Sequence, residues 1–445
     1  MLARGYAKRL LGLLGVEPPD DRMLGSTTTS YQGWAASGAM MLTGEKDGPP
    51  RAPGWPVAPA MAGAASALAF ITERLGCRVD VDGPALLGER AAHTGLRRRG
   101  TTSPGGSCRL IAASDGWLAV NLPRRYDLDA LPAWLGGRTG PGEDPWAVVK
   151  RQVRAGRVEA LEEQAVLLDL PVAHLPQATA ATRFAGTHPF VLSAGASRRR
   201  RTRPLVVDLS SMWAGPLCAN LLGLTGARVV KVESATRPDG ARGGSPSFFD
   251  LLHAGHQSVV IPFEDAGGRC ALRRLVSAAD VVIDSSRPRA MEQLDVDPSE
   301  VVGGGTTWIS LTGYGRSGRW RNRVGFGDDV AVAAGLVAGP PDEPMMCGDA
   351  AADPIAGLHA AVAAAASLLS GRSWLVDVSM RDAVAWTLGD RRDVELVASP
   401  AGREWSVRID GANVPVAAPS SRPANGTARP FGADTERVLG ELADP

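Results

Sequence analysis

The sequence predicts an α/β fold built on a Rossmann-like parallel sheet, and three observations over residues 204–390 carry that expectation. Short apolar runs, LVVDLS, ARVVKVE, HQSVVIPF, DVVIDS and TTWISLTGY, have the length and the Val/Ile content of buried strands. Between them lie helical stretches such as WAGPLCANLLGLTG, which ends on glycine, and GGRCALRRLVSAA. The two kinds of segment alternate, the signature of βαβ units, which places ligands at the C-terminal ends of the strands. No G-x-G-x-x-G follows the first strand, so neither a nicotinamide nor a flavin dinucleotide is expected.

Taken in order, residues 1–30 form a leader. Arg4, Lys8 and Arg9 precede LLGLLGV, but this apolar run meets Glu17-Pro18-Pro19-Asp20 instead of a small-residue cleavage site, so a short amphipathic helix is expected. The leader ends in the cluster STTTS. Residues 31–95 hold one copy of a repeated unit. WAASGAMMLTGEKDGPP returns as VAVAAGLVAGPPDEP at 330–344, VAPAMAGAASALAF (57–70) lies over AADPIAGLHAAVAA (351–364), and RVDVDGPAL (78–86) over LVDVSMRDA (375–383). Agreement across a loop, a helix and a V-D-V strand favours duplication over a chance match of Ala/Gly-rich helices.

Residues 96–185 read as a smaller α+β domain. CRLIAA and WLAVNL form two strands joined by Ser114-Asp115-Gly116, a helical region follows over roughly 128–168, and the segment closes in LDLPVAHLP. Residues 186–203, with AGASRRRRT, read as an exposed Arg-rich linker. Residues 391–445 form a C-terminal extension with a terminal helix.

The balance of 48 Lys+Arg against 47 Asp+Glu gives no global pull toward nucleic acid or an anionic membrane. Five scattered cysteines without C-x-x-C argue for a reducing, cytoplasmic setting and against a disulfide framework or a metal site. No stretch approaches the ~20 apolar residues of a membrane span.

The most informative stretch is MMCGDAAADPIAGLHAAVAAAASLL, Met345 to Leu369. Asp353 followed by Pro354 and an Ala/Leu-rich run is an ordinary helix start, with Asp as the cap. The first copy of the repeat makes the same start with Pro59 in place of the Asp, so the fold does not demand the carboxylate. Asp353 is therefore the candidate functional residue.

The run VVDLSSMWAGPLCANLLGLTGARVVKVE, then HAGHQSVVIPFEDAGGRCALRRLVSAADVVIDSSRPRAMEQL, then ADPIAGLHAA and VDVSMRDA, resembles the family III CoA-transferases, the CaiB/BaiF family, which includes formyl-CoA transferase, carnitine CoA-transferase and α-methylacyl-CoA racemase. The resemblance is specific over 204–386 and returns in PFGADTERVLGEL. The N-terminal half looks like a rearranged second family segment. The chain thus reads as a tandem duplication folding as a pseudo-dimer of the family fold, with one site surviving.

The resemblance implies that Asp353, and not Asp349, is the nucleophile that attacks an acyl-CoA thioester, and that coenzyme A and a carboxylic acid are the partners. A helix N-terminus is expected to hold that carboxylate ionised. By the same resemblance Trp213, Arg237, His256, Ser285, Ser286 and Arg287 fall where the family contacts CoA, with Arg242 a further phosphate candidate; several of these positions differ from the family pattern. Gly105 and Gly106 stand near the family's glycine-rich active-site loop and suggest a lid from the N-terminal half. The racemase branch carries a His before the aspartate segment, and none lies between His256 and His359, which favours transfer over racemisation. His359 itself reads as packed or hydrogen-bonded. The expected activity is CoA transfer, with acyl-CoA racemisation or a degenerate, non-catalytic CoA-binding protein as the alternatives.

Overall fold

The computed structural model describes residues 3–20, 24, 30–136, 142–177, 187–198, 201–389, 396–401, 404–409 and 411–442. Four residues of the STTTS cluster and two of the four consecutive arginines lie outside them.

The Val/Ile runs assemble into a seven-stranded sheet in the order Val191–Ser197, Arg372–Ser379, Thr307–Thr312, Val281–Asp284, Leu205–Asp208, Arg228–Ser234 and Gln257–Ile261. All neighbours pair in parallel except Val191–Ser197, which runs antiparallel to Arg372–Ser379. Numbered along the chain, the six parallel strands lie in the doubly wound order 3-2-1-4-5-6. The order reverses between Leu205–Asp208 and Val281–Asp284. In a doubly wound sheet the loops leaving two such strands diverge to opposite sides, which places a crevice at their carboxyl ends.

Two apolar layers sandwich the sheet. On one face Leu272, Leu275 and Val276 of the helix Ala266–Ala278 pack with Val302 and, from the terminal helix Thr435–Gly440, Val438. On the other lie the helices Ala214–Gly223 and Ala352–Ser370. The second is apolar all round, as a central helix must be. It is long and apolar enough to cross a membrane by length and composition, contrary to the sequence expectation, yet 89% of its apolar window is buried inside the protein.

That burial depends on the N-terminal half. The helix Val57–Arg74, predicted as the partner copy of Ala352–Ser370, packs against it, and the leader helix Ala3–Leu13 packs against Val57–Arg74 in turn. The leader's apolar stripe, Tyr6, Ala7, Leu10 and Leu11, is buried, as its amphipathic pattern predicts. Tyr6 reaches the buried His359, their Oη and Nε2 atoms 2.6 Å apart.

The hairpin expected around Ser114-Asp115-Gly116 forms as Cys108–Ala112 and Trp117–Asn121, and Val172–His174 adds a third strand. The helices Arg125–Trp134, Pro145–Ala155 and Val158–Leu167 cover it.

Two expectations fail for identifiable reasons. RVDVDGPAL has no strand at 78–82: among the described residues no strand pairs with it to supply the hydrogen bonds. The segment read as an exposed linker instead gives the edge strand Val191–Ser197. Arg198 then turns inward, donating to the Asp280 carbonyl at 2.5 Å and to the Thr307 and Ser367 hydroxyls at 2.8 Å.

The helices Ala352–Ser370 and Ala214–Gly223 approach closely where Gly357 faces Ala214. A Cβ at Gly357 would lie 2.5 Å from the Ala214 carbonyl oxygen and 3.2 Å from Leu217, and the backbone atom has no room to yield. Gly357→Ala is expected to force the two helices apart and cost about 1–3 kcal/mol, read as a lower urea midpoint with an unchanged slope.

Candidate active site

Asp353 sits in the first turn of Ala352–Ser370, two residues inside where a cap would stand. The N-cap is Ala351, which makes no side-chain cap bond, so the expected capping role is not the one the carboxylate takes. Just before it, Ala350 adopts a left-handed conformation (φ 43°) that turns the chain sharply into the helix, and the Asp353 N–H donates to the Ala350 carbonyl at 2.9 Å. The carboxylate accepts from the N–H of Ala214 on the neighbouring helix. It stays partly open to solvent while its helical neighbours are buried.

Gly327 forms the back wall of this niche. A Cβ there would fall 2.0 Å from Oδ2 of Asp353 and 2.5 Å from the Ala350 oxygen, so a side chain would occupy the carboxylate's own position.

The surroundings are more anionic than the sequence suggested. Asp349 is wholly buried. Asp328, at the start of the helix Gly327–Ala333, accepts from the Ala350 N–H at 2.8 Å and from the Ser103 hydroxyl. Its carboxyl is pushed up by burial and by Asp349. Asp329 is pushed up to about 7 by burial, although Asn121 Nδ2 donates to it at 2.8 Å.

Into this cluster the N-terminal half inserts Arg90, from the short helix Glu89–Thr94. Its Nε and Nη2 donate to the two oxygens of Asp349 at 2.7 and 2.5 Å. Its guanidinium lies 5.6 Å from the Trp213 ring centre. Arg422 clamps the same helix in place, donating to Glu89 at 2.6 Å and to Asn220 of the helix Ala214–Gly223 at 2.9 Å. Sequence reasoning missed Arg90 and Asp328: neither stands in a spaced motif, and Arg90 meets Asp349 across more than half the chain.

Asp353 itself is not held in the ordinary carboxylate range. Burial pushes it up to about 7; Arg90 and the Ala214 N–H work against this, and Asp328 and Asp349 add to it. The expectation that the helix N-terminus holds it ionised is thus corrected: burial pushes the carboxyl up despite its place in the first turn.

The residues assigned to CoA contacts separate into two groups. Ser285, Ser286, Arg287 and Trp213 gather at the switch-point crevice. The Ser211 N–H donates to Ser285 Oγ at 3.1 Å, the Ser286 hydroxyl donates to Asp284 at 2.6 Å, and Arg287 pairs with Asp169 of the small domain at 2.7 Å. Trp213 is buried, edge-on to Phe248 at 5.3 Å. Arg237 is exposed on the loop after Arg228–Ser234. His256 departs from the expectation of a CoA contact: it is buried, and burial with Lys231 nearby pulls its imidazole down to about 3, so it is neutral at pH 7 and offers no charge to a phosphate. Arg242 is committed to Glu233 at 2.6 Å.

Gly105 and Gly106 lie in a tight turn closed by the Gly106 N–H on the Ser103 carbonyl at 2.8 Å. The turn rests on Arg90: a Cβ at Gly105 would stand 3.3 Å from Nη2. Gly106 is left-handed, at φ 86°.

Because its folded-state value lies above that of an unfolded aspartate, Asp353 binds more protons folded than unfolded between about pH 4 and pH 7. Its ionisation therefore costs stability as pH rises through that window. Asp353→Asn is expected to match the wild type near pH 4 and to exceed it in melting temperature at pH 8.

With this geometry in hand, comparison with known proteins is informative. A crystal structure of a CAIB/BAIF family protein from Brucella suis aligns with 27% identity and a TM-score of 0.39, over 44% of this chain and 56% of that one. The succinyl-CoA–D-citramalate CoA-transferase of Chloroflexus aurantiacus is 30% identical over 42% of this chain and 52% of its own. The succinate–glutarate CoA-transferase of Agrobacterium fabrum is 29% identical over the same shares, 42% and 52%. The chain spans about half the length of the curated relatives it matches. The model of CoA-transferase family III matches residues 204–420, which take in all six parallel strands, the switch-point crevice and Asp353. Over residues 204–420 the chain is therefore similar to CoA-transferase family III.

Proposed function

We propose that the protein moves CoA from an acyl-CoA donor to a carboxylic acid acceptor, with Asp353 as the covalent nucleophile. The observation that carries this reading is the placement of Asp353. It is a partly accessible carboxylate in the first turn of a buried helix, backed by Gly327, steadied by the Ala214 N–H and set inside the segment that matches the family III model. The names of the relatives pair CoA thioesters with small dicarboxylic acids, and that acceptor class fits first.

In this scheme the Asp353 carboxylate attacks the thioester carbonyl, making a mixed anhydride and expelling CoA as thiolate. The thiolate attacks the aspartyl carbonyl, releasing the donor acid and leaving an aspartyl–CoA thioester. The acceptor carboxylate then attacks that thioester, and the thiolate returns to the acceptor's acyl carbon, regenerating Asp353. Each anhydride is water-sensitive, so the site must exclude water. The Gly105–Gly106 turn over Arg90 is suited to that duty, and the N-terminal half, read as a degenerate copy of the aspartate unit, serves as the scaffold that presents it. Ser285, Ser286, Arg287 and Trp213 line the crevice proposed for CoA, with Arg287 released from Asp169 when a phosphate competes for it.

A further observation favours transfer over racemisation. His359 is buried, its Nδ1 lies 2.7 Å from the Ile355 carbonyl, its Nε2 contacts Tyr6, and burial pulls it down to about 4. It is not placed to exchange a proton at a substrate Cα.

The reading is tested by incubating the protein with a panel of acyl-CoA thioesters, quenching with hydroxylamine and mapping the 345–370 peptide by mass. A hydroxamate on Asp353, lost in an Asp353→Asn protein that still melts cooperatively, is the expected result. Transfer that survives in Asp353→Asn, or a hydroxamate on another residue, contradicts it. Since the carboxylate forms only as pH rises through about 7, the transfer rate is expected to climb about tenfold per pH unit below that value and to level off above it. Gly327→Ala, which takes the carboxylate's position, is expected to lower the rate on the order of 10²-fold.

A further inference from the structure

We propose, on the reading of Asp353 as nucleophile, that Arg90 is its positioning residue: the N-terminal half delivers a guanidinium, fixed on Asp349, whose charge keeps the Asp353 carboxylate competent to attack.

The geometry singles Arg90 out. Two bonds to Asp349 at 2.7 and 2.5 Å fix the plane of the guanidinium. The Trp213 ring bounds one face at 5.6 Å. The turn at Gly105 closes another side so tightly that a Cβ would stand 3.3 Å from Nη2. The carrying helix is anchored by Arg422 to Glu89 and to Asn220. A guanidinium bounded on three sides and carried on an anchored helix is a fixed charge, and fixed charges act on a neighbouring carboxyl without reorganising.

The groups that face Asp353 give Arg90 its weight. Asp328 comes from the helix Gly327–Ala333 and Asp349 from the preceding turn, and both oppose ionisation, while Arg90 favours it. The helix Ala214–Gly223 contributes the Ala214 N–H. The stretch 57–72 of the adjacent helix contains no titratable residue. Cys347, its thiol pushed up to about 12 by burial, stays neutral, and His359 is taken by Tyr6 further along the helix. Against two like charges and desolvation, loss of the guanidinium would leave Asp353 protonated at neutral pH.

A purely structural tie between the halves predicts something different. If the Arg90–Asp349 pair only fastened two segments, breaking it from either side would have the same consequence. If Arg90 acts by charge, the two breaks act with opposite sign: removing the guanidinium raises the Asp353 titration, and removing the Asp349 charge lowers it.

The test uses the full chain without any CoA thioester. A water-soluble carbodiimide with an amine nucleophile labels protonated carboxyls, so the rate of Asp353 labelling against pH, read on the 345–370 peptide, reports its titration midpoint. Arg90→Gln is expected to raise the midpoint by about one unit or more, Asp349→Asn to lower it, and Arg90→Lys to stay near the wild type. A matching shift of the acid limb of transfer, up in Arg90→Gln and restored in Arg90→Lys, is expected in the same proteins. Should Arg90→Gln fail to fold, Arg90→Lys and Asp349→Asn carry the comparison. An unchanged midpoint in folded Arg90→Gln, or a midpoint in Asp349→Asn that rises or does not move, overturns the proposal. Midpoints that shift as expected in a protein that never traps an acyl group would overturn the transferase reading alone.

Discussion

Three carboxylates, Asp328, Asp349 and Asp353, converge beside one guanidinium, and much of the architecture around them serves that convergence. Burying like charges together is costly, and the cost falls only if a cation and directed N–H groups are brought in with them. The N–H groups come from Ala350 to Asp328 and from Ala214 to Asp353. The cation comes from Arg90, more than half the chain away from Asp349 in sequence. The left-handed Ala350, the missing side chain at Gly327 and the close helix contact at Gly357 then read as parts of one arrangement.

This makes the N-terminal half more than a leftover. Its helix Val57–Arg74 covers Ala352–Ser370, the leader helix covers that in turn, and the Tyr6–His359 contact ties the outermost layer to the functional helix. The segment at 204–420, which matches the family III model, brings the sheet and the carboxylate; the residues before it bring Arg90 and the glycine turn that rests on it.

Much of this was legible in the sequence. The parallel sheet could be read because β-branched runs alternate with helical ones, and the hairpin because Ser114-Asp115-Gly116 separates two apolar runs. Asp353 stood out because Pro59 fills the matching place in the first copy. What was not legible is what depends on distant partners. Val191–Ser197 lacks a strong strand pattern and becomes a strand through pairing with Arg372–Ser379. The V-D-V at 79–81 has the right letters and, among the described residues, no strand to pair with. His256 was read as a CoA contact and is buried instead. Arg90 lies in a short polar helix where nothing local marks it.

The account turns on oxygen passing through Asp353. If an acceptor carboxylate attacks the aspartyl–CoA thioester, one of its oxygens remains on Asp353 once the new acyl-CoA is released. Turnover with a heavy-oxygen-labelled carboxylic acid acceptor, followed by mass analysis of the 345–370 peptide, is therefore the most direct measurement. The account predicts that Asp353 acquires the heavy oxygen in step with product formation and hands it to the donor acid in the next cycle. Product formed without heavy oxygen on Asp353 would contradict it.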